Sequence, residues 1–95
     1  MLPENRIPTH PGEILKDQFL EPLGLSTEAF AEHISVPTAR IDELVDGHRD
    51  VTPETAWQLS QAFDTTPEFW INLQAQHDLA TSRPERTIEP LLQAS

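Results

Sequence analysis

An all-α fold is predicted: a bundle of about five helices between a loose N-terminal arm and a C-terminal tail. Three observations predict it. Histidine or threonine stands before proline at His10-Pro11, Thr52-Pro53 and Thr66-Pro67. Apolar residues recur at helical spacing after each pair. No stretch alternates polar and apolar residues for long enough to form a strand. Proline suits the first helical position because its missing N–H would be unsatisfied there anyway. The preceding side chain can then cap the exposed amides.

The first helix is expected over about 11–21, burying Ile14, Leu15, Phe19 and Leu20, and is stopped by Pro22 and Gly24. Ser26 caps a second helix over about 27–34, with Phe30, Ala31 and Ile34 inward. "SVP" makes a tight turn into a third helix over about 37–46. Ile41 and Leu44 there are spaced i, i+3 toward the core, and Gly47 suits a left-handed C-terminal cap. Thr52-Pro53 starts a fourth helix with Ala56, Leu59, Ala62 and Phe63 apolar. Thr66-Pro67 starts a fifth with Phe69, Trp70 and Leu73. The arm covers residues 1–9, the folded domain 10–80 and the tail 81–95. Ile88, Leu91 and Leu92 form the tail's short apolar cluster.

Ninety-five residues make one domain with a modest core, which gains from pairing with a second copy or a partner. There is no cysteine, so neither a disulfide framework nor a thiolate metal site is expected. No apolar run is long enough to span a membrane, and the N-terminus lacks a secretory pattern. A cytoplasmic protein is expected. Sixteen acids face six bases, for a formal net charge of −10. That imbalance argues against diffuse affinity for nucleic acid and favours a basic partner, although solubility alone also explains it.

Two short helices joined by a tight turn form a helix-turn-helix arrangement. The second is amphipathic. With Ile41 and Leu44 anchored, its first turn and outer face are free to enter a major groove. Thr38, Ala39, Arg40 and Glu43 are the positions placed to reach base edges or phosphates. Arg40 can fork onto a guanine edge, Ala39 can touch a thymine methyl, and Glu43 can accept from cytosine or orient Arg40. Thr27 heads the preceding helix, where a hydroxyl and helix-terminal amides can hold a phosphate. Arg49 and His48, beyond Gly47, are placed for backbone contact. A plain amphipathic helix with a solvated charged face has the same spacing.

The stretches "HPGEIL", "PLGLS", "LVDGHRDVTPETAWQLSQAF" and "TTPEFWINLQAQHDL" resemble the HigA-type antitoxins of bacterial toxin–antitoxin (addiction module) systems. These belong to the lambda-repressor-like (Xre) helix-turn-helix group. The resemblance covers about residues 7–79. It implies an antitoxin that neutralises a small basic mRNA-cleaving toxin and represses its own operon as a homodimer on operator DNA. It places Pro37, Thr38, Ala39, Arg40, Asp42 and Glu43 on the recognition helix. Five departures stand out: Pro37 where many members have serine or threonine, Glu43 where many have arginine, Asp46 where asparagine is common, His48 where lysine or arginine is usual, and Thr27 where glutamine commonly contacts phosphate. Two alternatives stay open: a toxin-neutralising module with weak or lost DNA binding, and a stand-alone regulator.

Phe69, Trp70 and Leu73 read as core or as a dimer seam, since aromatic residues are enriched at interfaces. The resemblance favours pairing through this helix and the tail. The four histidines, His10, His33, His48 and His77, show no ligand spacing, so no metal is expected. No nucleophile motif or phosphate-cradling glycine loop occurs, so neither an enzyme nor a cofactor is expected.

Asp46 and Asp50 lie near or beyond the end of the third helix, whereas Arg40 lies in its N-terminal half. Few phosphate contacts are therefore expected. Since log K falls by roughly 0.9 per phosphate per log unit of salt, a titration of operator affinity should give a slope shallower than about −6.

Overall fold

The computed structural model describes residues 8–92. Most of the expected arm, residues 1–7, and the last three residues lie outside the described residues. Five helices follow one another, and no strand occurs among the described residues. α1 opens as an α-helical turn, Pro11–Ile14, widens into a π-helical stretch, Leu15–Leu20, and closes with Glu21–Leu23. α2 is Thr27–His33, α3 Thr38–Val45, α4 Pro53–Phe63 and α5 Pro67–Thr81. α2 packs on α3, α4 on α5, and α1 bridges α3 and α5.

Local chemistry explains the starts. His10 Nδ1 accepts from the Gly12 amide (2.9 Å), Ser26 Oγ from Ala29 (3.0 Å), Thr52 Oγ1 from Thr55 (3.2 Å) and Thr66 Oγ1 from Phe69 (3.1 Å). α3 differs from the expectation: Pro37 is its N-cap residue, extended at φ −62°, ψ 141°, not its first helical residue. It offers no side-chain acceptor. α1 also differs, because Pro22 lies within its last turn and does not stop it. The widened turn just before it, where the Glu21 amide reaches back to the Lys16 carbonyl, loosens the ladder that a proline ring would otherwise crowd. Gly24 ends the helix at φ 65°.

The α2–α3 turn rests on Ser35, which is left-handed at φ 61°. The Ser35 amide reaches the Glu32 carbonyl and Val36 reaches Ala31. Serine accepts this conformation at a cost that glycine would avoid. α3 ends in the same manner: Gly47 donates to Leu44, and His48 to Glu43 at 2.8 Å.

The core holds Leu15, Leu20, Phe30, Ala31, Ile41, Leu44, Val51, Ala56, Leu59 and Trp70. Ile14, Phe19 and Ile34 pack on it while partly exposed. Phe19 meets Phe63 at 4.8 Å and Trp70 at 5.2 Å between ring centres, and Phe30 stacks on Phe63 at 5.1 Å. These rings tie α1 and α2 to the α4–α5 hairpin. Buried Gln74 ties the loop after α3 to α5. Its Oε1 accepts from the Val51 amide (2.7 Å), and its Nε2 donates to Asp78 (2.9 Å) and Asp50 (3.3 Å).

The start of α1 presses directly on the end of α3. A Cβ on residue 12 would overlap the Leu44 carbonyl oxygen. His10 closes this corner, its ring T-shaped on His77 at 5.0 Å, while His77 Nδ1 lies 2.8 Å from the Pro8 carbonyl. Burial chiefly, with the nearby His77 second, holds the His10 pKa below 6.5, against opposing pulls from Asp50 and Asp78. Residues 82–92 carry no helix or strand and are exposed, with Ile88, Leu91 and Leu92 all open to solvent.

Gly12→Ala should destabilise the fold by at least about 2 kcal/mol, because the clash is with backbone and cannot relax by a rotamer change. Urea unfolding measures it. His10 gives a second expectation. Its folded pKa is depressed, so between that value and 6.5 the unfolded chain binds the extra proton. The stability contribution is complete above 6.5 and is lost as pH falls through that window. Unfolding at about pH 7.5 and about pH 5.5 should show a larger acid loss for the wild type than for His10→Asn, which keeps a capping oxygen but does not titrate.

Candidate nucleic-acid interface

Ile41 and Leu44, 2% and 1% exposed, fix which face of α3 turns inward. The outward face follows from 3.6 residues per turn. Ala39 and Glu43 are exposed, while Thr38 and Arg40 are half-buried. Pro37, exposed, stands at the N-terminal tip of α3, and His48 and Arg49, also exposed, lie on the loop beyond Gly47. Thr27 is half-buried at the first position of α2, one residue after the capping Ser26. Among the described starts, α3 alone lacks a side-chain cap at the head of a helix with a free first turn, leaving its positive dipole end toward solvent.

Arg40 and Arg49 line one open cleft of about 360 Å³ together with Asp50, Thr52, Glu54 and Thr55. Two guanidinium groups therefore share the cleft with two carboxylates, and it is formally neutral. Arg49 donates from Nε (2.9 Å) and Nη2 (2.7 Å) to Glu43 Oε1. This is the only ion pair among the described residues. The expectation that Glu43 orients Arg40 across one helical turn is corrected here. The partner is Arg49, because the reverse turn at Gly47 brings the chain back beside Glu43.

This geometry places the molecule among known relatives. The helix-turn-helix family model matches residues 17–70, more than half of the chain. The chain belongs to the helix-turn-helix family of the HigA antitoxins. Antitoxin HigA-1 of Vibrio cholerae is 40% identical over 78 residues, covering 82% of this chain and 73% of that protein. The HTH-type transcriptional regulator YbaQ of Escherichia coli is 45% identical over 74 residues, covering 78% of this chain. The chain spans 66% of that regulator, just under two thirds of its length. The structure of Pseudomonas aeruginosa antitoxin HigA with the higBA promoter superposes with a TM-score of 0.83 at 38% identity, over 90% of this chain and 99% of that one. This HigA-family chain is thus lambda-repressor-like in fold, and its relatives are antitoxins and regulators, not enzymes.

The residues expected at a dimer seam divide. Trp70 is fully buried, and its Nε1 donates to Thr65 Oγ1 at 2.8 Å, so its side chain offers no surface to a second copy. It is a core residue. Phe69 is 39% exposed, and Leu73 is partly buried against the core. Sequence reasoning passed over Trp57, which is 57% exposed beside Pro53, Ala56, Pro67, Glu68 and Ile71. The signal was present: Trp57 falls outside the inward stripe formed by Ala56, Leu59, Ala62 and Phe63. The tie from Gln74 to the Val51 amide and to Asp50, which fixes the loop carrying Arg49, was also missed, since contacts across 23 and 24 residues have no local signature. Among the described residues no group of His, Asp or Glu side chains could hold a metal, and no helix is long and apolar enough to cross a membrane.

Proposed function

We propose that this chain is an antitoxin that represses its own operon by reading operator DNA through α3, and that it neutralises a small basic toxin that cleaves mRNA. The observation that carries the DNA half is the pinning of α3 by Ile41 and Leu44, which leaves Ala39, Arg40 and Glu43 outward. The superposition on a promoter-bound HigA supports it. In this reading Arg40 takes a base edge, with Thr38 and Ala39 beside it. Thr27, Pro37, His48 and Arg49 border the phosphate backbone. The surplus of ten negative charges supports the toxin half, since it complements a basic protein.

The protein acts in the cytoplasm and as a homodimer, so that two copies of α3 meet successive major grooves. Phe69, Leu73 and the exposed Trp57 supply apolar surface for pairing or for the toxin. A chain that kept toxin binding and lost DNA binding is the competing reading. The formally neutral cleft around Arg40 and Arg49 favours it to the extent that phosphate contacts are few.

An electrophoretic shift assay with the DNA upstream of the operon separates the two. Arg40→Ala should weaken operator binding by about 5- to 150-fold, equivalent to the loss of one bidentate base contact of about 1–3 kcal/mol, with a far smaller effect on unrelated duplex. Equal binding by wild type and Arg40→Ala would remove α3 as the reading element. Co-expression with the adjacent reading frame should recover a small basic protein in complex, and its absence would leave a stand-alone regulator.

A further inference from the structure

We infer that Glu43 acts as a latch on Arg49, competing with DNA phosphate for its guanidinium, and so sets the affinity and salt dependence of operator binding. This rests on the proposed DNA-reading function. The two arginines of the cleft are in different states. Arg40 makes no ion pair among the described residues, whereas Arg49 is committed to Glu43. The commitment is through one particular edge. Nε and Nη2 both donate to Oε1, at 2.9 and 2.7 Å. That side-on edge is one of the two a guanidinium can use to fork onto a carboxylate or a phosphate. While Glu43 holds it, the same edge cannot serve a phosphate oxygen.

The backbone makes the contact a built one. The His48 amide donates to the Glu43 carbonyl at 2.8 Å, and the left-handed Gly47 reverses the chain. Residue 49 is thereby returned to the side of residue 43. Gln74 then fixes the following residues, through the Val51 amide and Asp50. Arg49 consequently emerges from a loop held at both ends, next to the Glu43 side chain. The pair is nevertheless open to water, with its side chains 45% and 48% exposed. A contact of that kind is weak and salt-sensitive, so it modulates binding without abolishing it.

Glu43 is therefore a positioning residue that withholds a phosphate contact, and not a reader of cytosine. This accounts for an acid on the exposed face of a helix that presents itself to a polyanion. It restrains non-specific attachment while leaving Arg40 free to read.

The test uses the full chain, operator duplex and an unrelated duplex, with fluorescence anisotropy from about 50 to about 200 mM salt. Glu43→Gln, Glu43→Asp, Arg49→Gln and the Glu43→Gln/Arg49→Gln double variant are compared, with thermal melts to show that each is folded. Release of the latch should tighten binding of both duplexes by up to about five-fold in Glu43→Gln, the equilibrium equivalent of an exposed ion pair. The salt slope should steepen by about 0.9, one further phosphate. Glu43→Asp, whose shorter side chain keeps the charge but withdraws the oxygen, should move in the same direction. Arg49→Gln should weaken binding more in the Glu43→Gln background than in the wild type.

Weaker binding by Glu43→Gln, or no change in affinity and slope, overturns the latch. So does tightening by Glu43→Gln without any by Glu43→Asp, which would mark simple charge repulsion. If the wild type binds DNA and these outcomes appear, the latch alone fails. If neither the wild type nor Glu43→Gln binds any duplex, DNA reading fails and the latch with it. Strong binding by Glu43→Gln where the wild type shows none also overturns the latch, because release of one exposed ion pair cannot produce so large a gain.

Discussion

Leu44 holds this molecule together twice over. Its side chain sinks into the core beside Ile41, and its carbonyl lies against the backbone of Gly12. The first contact sets the rotation of α3 about its own axis. The second sets how far α3 can slide along α1, because no side chain fits between them. A helix fixed in both rotation and position presents the same outward residues every time, which a groove-reading element requires. The "HPG" triplet before α1 thus has a structural meaning: a capping imidazole, a pre-set first residue, and a residue with no Cβ at the point of closest approach.

The acidity of the chain is compatible with this arrangement because charge is sorted by position. Asp46 and Asp50 lie at or beyond the C-terminal end of α3, where a negative charge is unfavourable to the helix, although Asp50 also lines the cleft that holds Arg40. Asp50 is partly occupied by the Gln74 amide. Glu43 is occupied by Arg49. Arg40 makes no ion pair among the described residues and stands near an uncapped helix start, in a cleft that also holds Asp50 and Glu54. The remaining acids among the described residues are exposed to solvent.

What could be seen in the sequence was local. Capping side chains stand within three residues of the amides they hold, so Ser26, Thr52 and Thr66 were legible, as were Gly24 and Gly47. The inward stripe of α3 was legible from a single spacing. The turn residue Ser35 was not, because serine carries no left-handed signature, and Pro22 misled because a widened turn accommodates it. The Glu43–Arg49 pair spans a reverse turn and the Gln74 tie spans two elements, so neither has a periodic pattern to betray it. Trp70 was ambiguous for a different reason. α5 carries apolar residues around much of its circumference, and periodicity then cannot say which of Phe69, Trp70 and Leu73 goes inside.

The two tryptophans ended in opposite surroundings. Trp70 is sealed among phenylalanines with its ring nitrogen bonded to Thr65, and Trp57 stands open on the face shared by α4 and α5. The molecule therefore carries two built-in optical reporters. A soluble quencher reaches one indole and not the other, so occupancy of the α4–α5 face and loss of the core are distinguishable in the emission of a single unlabelled sample.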